Sequence, residues 1–127
     1  MNKKALLLGA VLGLLAVMIG AFGAHALKDV LTANGRLDVY ETAVKYQFYH
    51  AFALLIVGLL ADKLDNTWIK RSTLSFAGGV LVFSGSLYML SLTNMAWLGA
   101  ITPIGGLLLI LGWVYLIIGI VKMVENS

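Results

Sequence analysis

The sequence predicts an all-α integral membrane protein, a four-helix bundle made of two helical hairpins with a partly helical outer loop. Three observations carry this. Of 127 residues, 61% are hydrophobic and only 12% are charged, whereas a soluble domain needs about a quarter charged residues for its hydrated surface. From Ser72 to Val121, fifty consecutive residues include no Asp, Glu, Lys, Arg or His, a run that only hydrocarbon accommodates. The lysines and arginines flank apolar runs and form no patch of their own. Despite the net charge of +3, they read as topology signals and give no reason to expect nucleic acid. The absence of cysteine excludes disulfide frameworks, thiolate nucleophiles and Cys-based metal sites.

The first span is placed at about 5–26. Behind Lys3 and Lys4, Ala5 to Ala24 supplies twenty uncharged residues, enough at about 1.5 Å per residue to cross the ~30 Å hydrocarbon core. Its end, Ala24-His25-Ala26, has the small-x-small form of a secretory cleavage site. A signal's apolar core, however, runs to only about 7–15 residues, so this segment is expected to stay as a helix. Leu27 to Ala33 reads as a short interfacial helix, stopped by Asn34-Gly35.

The second span, about 39–61, follows a capping-box pattern from Asp38 to Glu41, with Tyr40, Tyr46 and Tyr49 as interfacial anchors. A polar link, Asp62 to Arg71, leads to the third span at about 72–92. The fourth span, about 98–121, follows a Thr93-Asn94 turn, with Trp97 at its mouth and Pro103 near its start. No internal repeat or linker interrupts residues 1–127, which are read as a single domain. The N-terminus, the middle link and the C-terminus then share one side. That side holds six basic residues (Lys3, Lys4, Lys63, Lys70, Arg71, Lys122) against three on the other (Lys28, Arg36, Lys45). The positive-inside rule places both termini in the cytoplasm.

In lipid, close approach at small residues holds helices together more than apolar burial does. Gly9, Gly13, Ala16, Gly20 and Gly23 step by four and three along one face of the first span. Gly105, Gly112 and Gly119 repeat at heptad spacing in the fourth, and Ser75, Gly79 and Ser86 serve similarly in the third. Packing within the chain is the expected use, with a partner or a second copy as the alternative.

Ionisable and polar groups within spans mark candidate sites. Here they are His25, Tyr40, Glu41, Tyr46, Gln47 and His50, a polar cluster towards the outer side. Glu41 stands near the boundary of the second span, and the uncharged stretches of the spans carry no carboxylate, which argues against a pump. Antiparallel levels put His25 beside Glu41, where an ion contact is expected. They put His50 beside Ala16, facing the small stripe, with a backbone carbonyl, a hydroxyl or Tyr46 as its bonding partner. The two histidines are then offset by about 13 Å along the axis, against bis-histidine haem ligation. Ser84, Ser86 and Ser91 read as hydroxyls bonded to their own backbone, and Trp68, Trp97 and Trp113 as interfacial or packing aromatics. Gly78-Gly79 and Gly105-Gly106 lie inside apolar helices and are not phosphate loops. No catalytic, cofactor-binding or metal-binding residue is assigned.

Several stretches occur together in order: Gly20-Ala21-Phe22-Gly23-Ala24-His25, Tyr46-Gln47 before His50-Ala51, Ser84-Gly85-Ser86-Leu87-Tyr88, and Thr102-Pro103-Ile104-Gly105-Gly106 before Gly112-Trp113. This set resembles the YgdD/YwdK-like family of small bacterial inner-membrane proteins, which has eukaryotic relatives, across essentially the whole chain. The resemblance implies a four-helix membrane protein of unknown function and brings no substrate, cofactor or catalytic residue to carry over. Because small-residue stripes are plentiful while polar residues within the spans are few and lack catalytic geometry, the expected function is that of a non-catalytic accessory or structural protein. Its expected partners are membrane lipid, a larger membrane complex or a second copy, and not nucleic acid. Two alternatives stand beside it. One is a transporter or small-molecule binder with a cavity around the polar cluster; the other is a haem or quinone protein.

Overall fold

Caps and turns decide where each helix begins and ends. The structure, a computed structural model, describes residues 1–125. Helix α1 (Lys3–Ala24) opens on Asn2, whose side-chain oxygen accepts the Ala5 N–H at 3.0 Å while its own N–H reaches the Gly58 carbonyl at 3.0 Å. It stops at Ala24, short of the expected boundary, where His25 leaves helical geometry. Helix α2 (Lys28–Ala33) is a short helix in the loop that follows α1. Gly35, at φ +66°, then reverses the chain in the left-handed conformation that glycine adopts without steric cost.

Helix α3 (Leu37–Leu60) starts earlier than expected, and the capping box from Asp38 to Glu41 does not form: Arg36 occupies the cap and contributes no side-chain bond. The Arg36 N–H closes the preceding turn onto the Leu31 carbonyl at 2.9 Å. The chain thus enters helical geometry before Asp38, which lies in the first turn.

Helix α4 (Asn66–Thr93) also starts earlier, because Asp65 accepts the Thr67 N–H at 2.8 Å and caps it. The expected link down to Arg71 is accordingly shorter. At 28 residues the helix spans about 42 Å, so its polar first turns extend beyond the hydrocarbon. It ends at Asn94 in the left-handed conformation, φ 57°, with the Asn94 N–H on the Leu90 carbonyl at 2.8 Å. A 3₁₀ turn (Ala96–Ala100) leads into α5 (Thr102–Glu125), with Pro103 in its first turn. No strand occurs among the described residues.

The four long helices are each apolar enough to cross a membrane. α1 packs on α3, α3 on α4 and α4 on α5, so α3 and α4 are central and α1 and α5 flank them. One end gathers the start of the chain, the α3–α4 link and the end of α5. There the Met1 ammonium lies 2.6 Å from Asp62 Oδ1, and Lys122 Nζ sits 5.1 Å from the centre of the Trp68 ring. Asn126 and Ser127, to which the expectation for the C-terminus extends, lie outside the described residues. At the opposite end, Asn34 Nδ2 donates to the Ser91 and Leu92 carbonyls at 3.0 and 3.3 Å, and Arg36 Nε donates to Asn94 Oδ1 at 3.1 Å. The loop between α1 and α3 thereby satisfies carbonyls that the end of α4 leaves free.

Between these ends, α4 and α5 meet through glycine. Gly105 lies under the backbone of Phe83, Gly112 under the Phe76 ring and Gly119 against Trp68, while Gly79 accepts Leu109. α1 meets α3 at Gly9, under the Ala51 carbonyl and Leu55, and at Gly23, under the Tyr40 ring, and Gly58 accepts Leu6 from the other side. Ala16 is fully buried on the same line. Gly13 departs from expectation: a Cβ there would meet nothing within 4 Å, and one at Gly20 would only graze Val44 at 3.4 Å. Residues 9, 16 and 23 form one line along the helix, and a position four residues on from such a line sits about 40° around the axis. Gly13 and Gly20 fall on that offset line.

Candidate functional site

The polar side chains of the central helices sort into two groups. The first ties α1, α3 and α4 together. Tyr40 is buried, and its hydroxyl donates to the Ile19 carbonyl of α1 at 2.5 Å. Two turns on, Gln47 Nε2 donates to the Leu12 carbonyl at 2.8 Å, and its Oε1 accepts the Tyr88 hydroxyl at 2.6 Å. The Tyr88 ring meets Tyr40 edge-on with centroids 5.3 Å apart, and Ser84 donates to the Ala43 carbonyl at 2.7 Å.

Because α1 has no polar side chain in its hydrocarbon stretch, only its carbonyls can accept these bonds. A helical carbonyl is overhung by the side chain four residues on. Here those residues are Ala16, over Leu12, and Gly23, over Ile19. The small line therefore both seats α3 and uncovers the two acceptors.

The second group centres on His50, which is 5% exposed. Its Nδ1 lies 2.7 Å from the Tyr46 carbonyl, and Trp113 Nε1 donates to its Nε2 at 3.1 Å. A carbonyl can only accept and an indole N–H can only donate, so the ring is neutral with its proton on Nδ1. Phe76 fills the space between, with centroids 5.6 Å from His50 and 5.0 Å from Trp113.

The six residues of the expected cluster are thus divided. Tyr40 and Gln47 join the first group, so Tyr40 is a buried bonding residue and not an interfacial anchor. Tyr46 and His50 join the second, with Tyr46 against Phe83 at 4.6 Å. His50 does not face the small stripe of α1. The α3 residues that do are Tyr40, Gln47 and Ala51, and His50 lies about 100° around the helix from Ala51, towards α4 and α5.

His25 and Glu41 do not form the expected contact. At this level Gly23 is the residue of α1 that meets α3, and beyond Ala24 the chain leaves helical geometry at His25. The histidine is exposed among Met18, Ala21, Phe22 and Ala26. Glu41 instead lines a cleft of about 200 Å³ with Gly20, Tyr40 and Lys45.

Ser86 and Ser91 bond to their own helix, at Phe83 and Tyr88, but Ser84 reaches across to α3, contrary to expectation. Sequence reasoning passes over the bonding roles of Tyr88, Trp113 and Asn34, reading Trp113 only as an interfacial or packing aromatic and Asn34 only as a helix stop. Ser84, Tyr88 and Ser91 fall at i, i+4 and i+7 in an apolar helix, a spacing that marks one polar face in need of partners. Among the described residues, no three of His, Asp and Glu gather around a point that could hold a metal ion. A ligand reaching Gln47 or His50 would have to displace a bond that each already makes within the protein.

The family described as "Protein of unknown function (DUF423)" matches residues 19–106, which include Tyr40, Gln47, Ser84 and Tyr88. The chain is similar to the UPF0382 membrane protein YwdK of Bacillus subtilis, at 45% identity over 122 residues covering 94% of this chain and 98% of that one. It is equally similar to the UPF0382 membrane protein SSP2132 of Staphylococcus saprophyticus, at 45% over 123 residues, covering 95% and 99%. SAB0533 of Staphylococcus aureus, also a UPF0382 membrane protein, is 46% identical over 120 residues, covering 94% and 97%. No solved structure matches.

Proposed function

Because the chain belongs to the DUF423 family of membrane proteins, whose description assigns no activity, we propose a role from geometry: a non-catalytic accessory protein that works by associating with lipid or with other membrane proteins. The observation that carries this is the commitment of the polar groups at the helix contacts, the buried Ser72 hydroxyl being the one without a partner among the described residues. Tyr40, Gln47, His50, Ser84, Tyr88 and Trp113 each bond to another part of the chain, while α1 turns Leu7, Val11, Leu14, Met18 and Phe22 outward as apolar surface. Groups locked to one another orient helices; they are not poised as nucleophile, base or carrier. The excess of basic residues around Met1, the α3–α4 link and Lys122 supports an orientation with that end cytoplasmic, in the cell's inner or plasma membrane.

Native mass spectrometry of the chain extracted in gentle detergent tests the association. A lipid or protein retained in fixed ratio is expected, and recovery of the bare chain alone would sink the reading. Because the chain lacks cysteine, orientation is read from single cysteines at Thr67 and Asn94: only the Thr67 thiol should resist an impermeant maleimide added outside.

A second reading, a small-molecule binder or transporter, is favoured by the cleft that Tyr40, Glu41 and Lys45 line. At about 200 Å³ it falls below the ~300 Å³ at which ligand pockets usually begin, so it ranks behind.

A further inference from the structure

We infer that the end of α1 bearing Lys3 and Lys4 binds a phospholipid with an anionic headgroup. This rests on the association reading and names the partner and its place. Lys3, Lys4, Leu7, Leu8 and Val11 line an open groove of about 520 Å³ on the outward side of α1. The spacing puts charge at the mouth and apolar side chains one and two turns further in, which is the order of an amphiphile. Depth agrees with that order. The Met1 ammonium is anchored to Asp62 in the α3–α4 link, so the first turn stands where the chain leaves the hydrocarbon, at headgroup level, and Leu7 and Val11 reach acyl-chain level.

Charge selects the headgroup. Of the two carboxylates in the adjoining link, Asp62 is paired with the Met1 ammonium and Asp65 is turned to the Thr67 N–H as the cap of α4. The first turn of α1 contains no acidic residue, and neither lysine forms an ion pair among the described residues. Two other cations at this end are held against aromatic rings. Arg71 lies over Trp68 and Tyr115 at 5.1 and 5.9 Å, and Lys122 over Trp68 at 5.1 Å. The pair beside the groove is left to meet an anion from the bilayer, and a lipid phosphate carrying net negative charge supplies it together with chains for Leu7, Leu8 and Val11.

The test is native mass spectrometry of the full chain titrated with phosphatidylglycerol and, in parallel, phosphatidylcholine. Tighter binding of phosphatidylglycerol is expected. The Lys3→Gln/Lys4→Gln variant should lose about 30-fold in that affinity, some fivefold per charge. Lys63→Gln/Lys70→Gln should retain it, and phosphatidylcholine binding should be little changed in either. An undiminished phosphatidylglycerol preference in the Lys3/Lys4 variant would overturn this site yet leave association standing. Absence of any retained lipid or protein would count against association itself. A photo-crosslinker at position 11 should capture lipid; capture of protein there would equally overturn the assignment.

Discussion

The α4–α5 and α1–α3 hairpins both pack through glycine, but they fix their alignment differently. Between α4 and α5 the contact is steric. Gly105, Gly112 and Gly119 receive Phe83, Phe76 and Trp68 in turn, and a hydroxyl contact between Ser86 and Thr102 at 2.6 Å is a minor addition. Between α1 and α3, Gly9 and Gly23 allow the approach, and Tyr40 and Gln47 then bond to uncovered carbonyls of α1. The difference follows from position. Shape can align α5 on α4 because a row of aromatics faces its glycines. α1 is a flanking helix with aliphatic side chains and no hydroxyl or amide of its own in the hydrocarbon, so it is aligned through its backbone. In lipid, where apolar burial scarcely favours one helix contact over another, these two devices, close fit and hydrogen bonding, are what remain.

The contrast can be broken most forcefully at Gly105. Its nearest neighbour is the Phe83 backbone, which cannot rotate aside, so Gly105→Val should cost about 3 kcal/mol or more of stability, read as a lower midpoint in detergent-induced unfolding. A near-native midpoint would mean that α5 is not held by fit.

Gln47→Leu should cost about 1–2 kcal/mol, since it removes two bonds and strands the Tyr88 hydroxyl. The same unfolding measurement, with near-zero loss, would transfer α1's alignment to glycine packing alone. A double-mutant cycle between Gln47→Leu and Tyr88→Phe sharpens this, with an expected coupling of about 0.6 kcal/mol; additive losses would show that the two side chains do not communicate.

Trp113→Phe deprives His50 Nε2 of its donor and should cost a similar ~0.6 kcal/mol. The imidazole NMR signal should shift as Nε2 loses its hydrogen bond, and an unchanged spectrum would contradict the pairing. The smallest effect is expected at Gly13→Ala, within about 0.5 kcal/mol, because the added methyl meets nothing. A substantial loss there, seen in membranes but not in detergent, would reveal a neighbour seated on that face.

Much of this architecture was legible residue by residue. Runs such as Ala5–Ala24 and Ser72–Val121 announce spans because transfer to hydrocarbon is close to a sum over side chains, whichever way each one faces. The heptad glycines of α5 were legible too, since residues seven apart stay nearly in line on any helix. The early start of α4 was also readable in principle from Asp65-Asn66-Thr67, but hydropathy ends a span where the polar residues begin, not where the helix does.

The site was less legible. Tyr40, Gln47 and Tyr88 stood in the sequence as polar residues without partners; the carbonyl bond expected of His50 forms, at Tyr46, but levels along the axis alone set His25 against Glu41 and His50 against Ala16. Composition and periodicity determine that this chain crosses the bilayer in four helices and where the small residues lie. Only the tertiary structure decides which azimuth of each helix meets its neighbour. A rotation of about 40° separates Gly9 from Gly13, and about 100° separates Ala51 from His50. Nothing in a single helix selects between such faces; the partner helix does, by offering Tyr40, Gln47 or Trp113 at one of them.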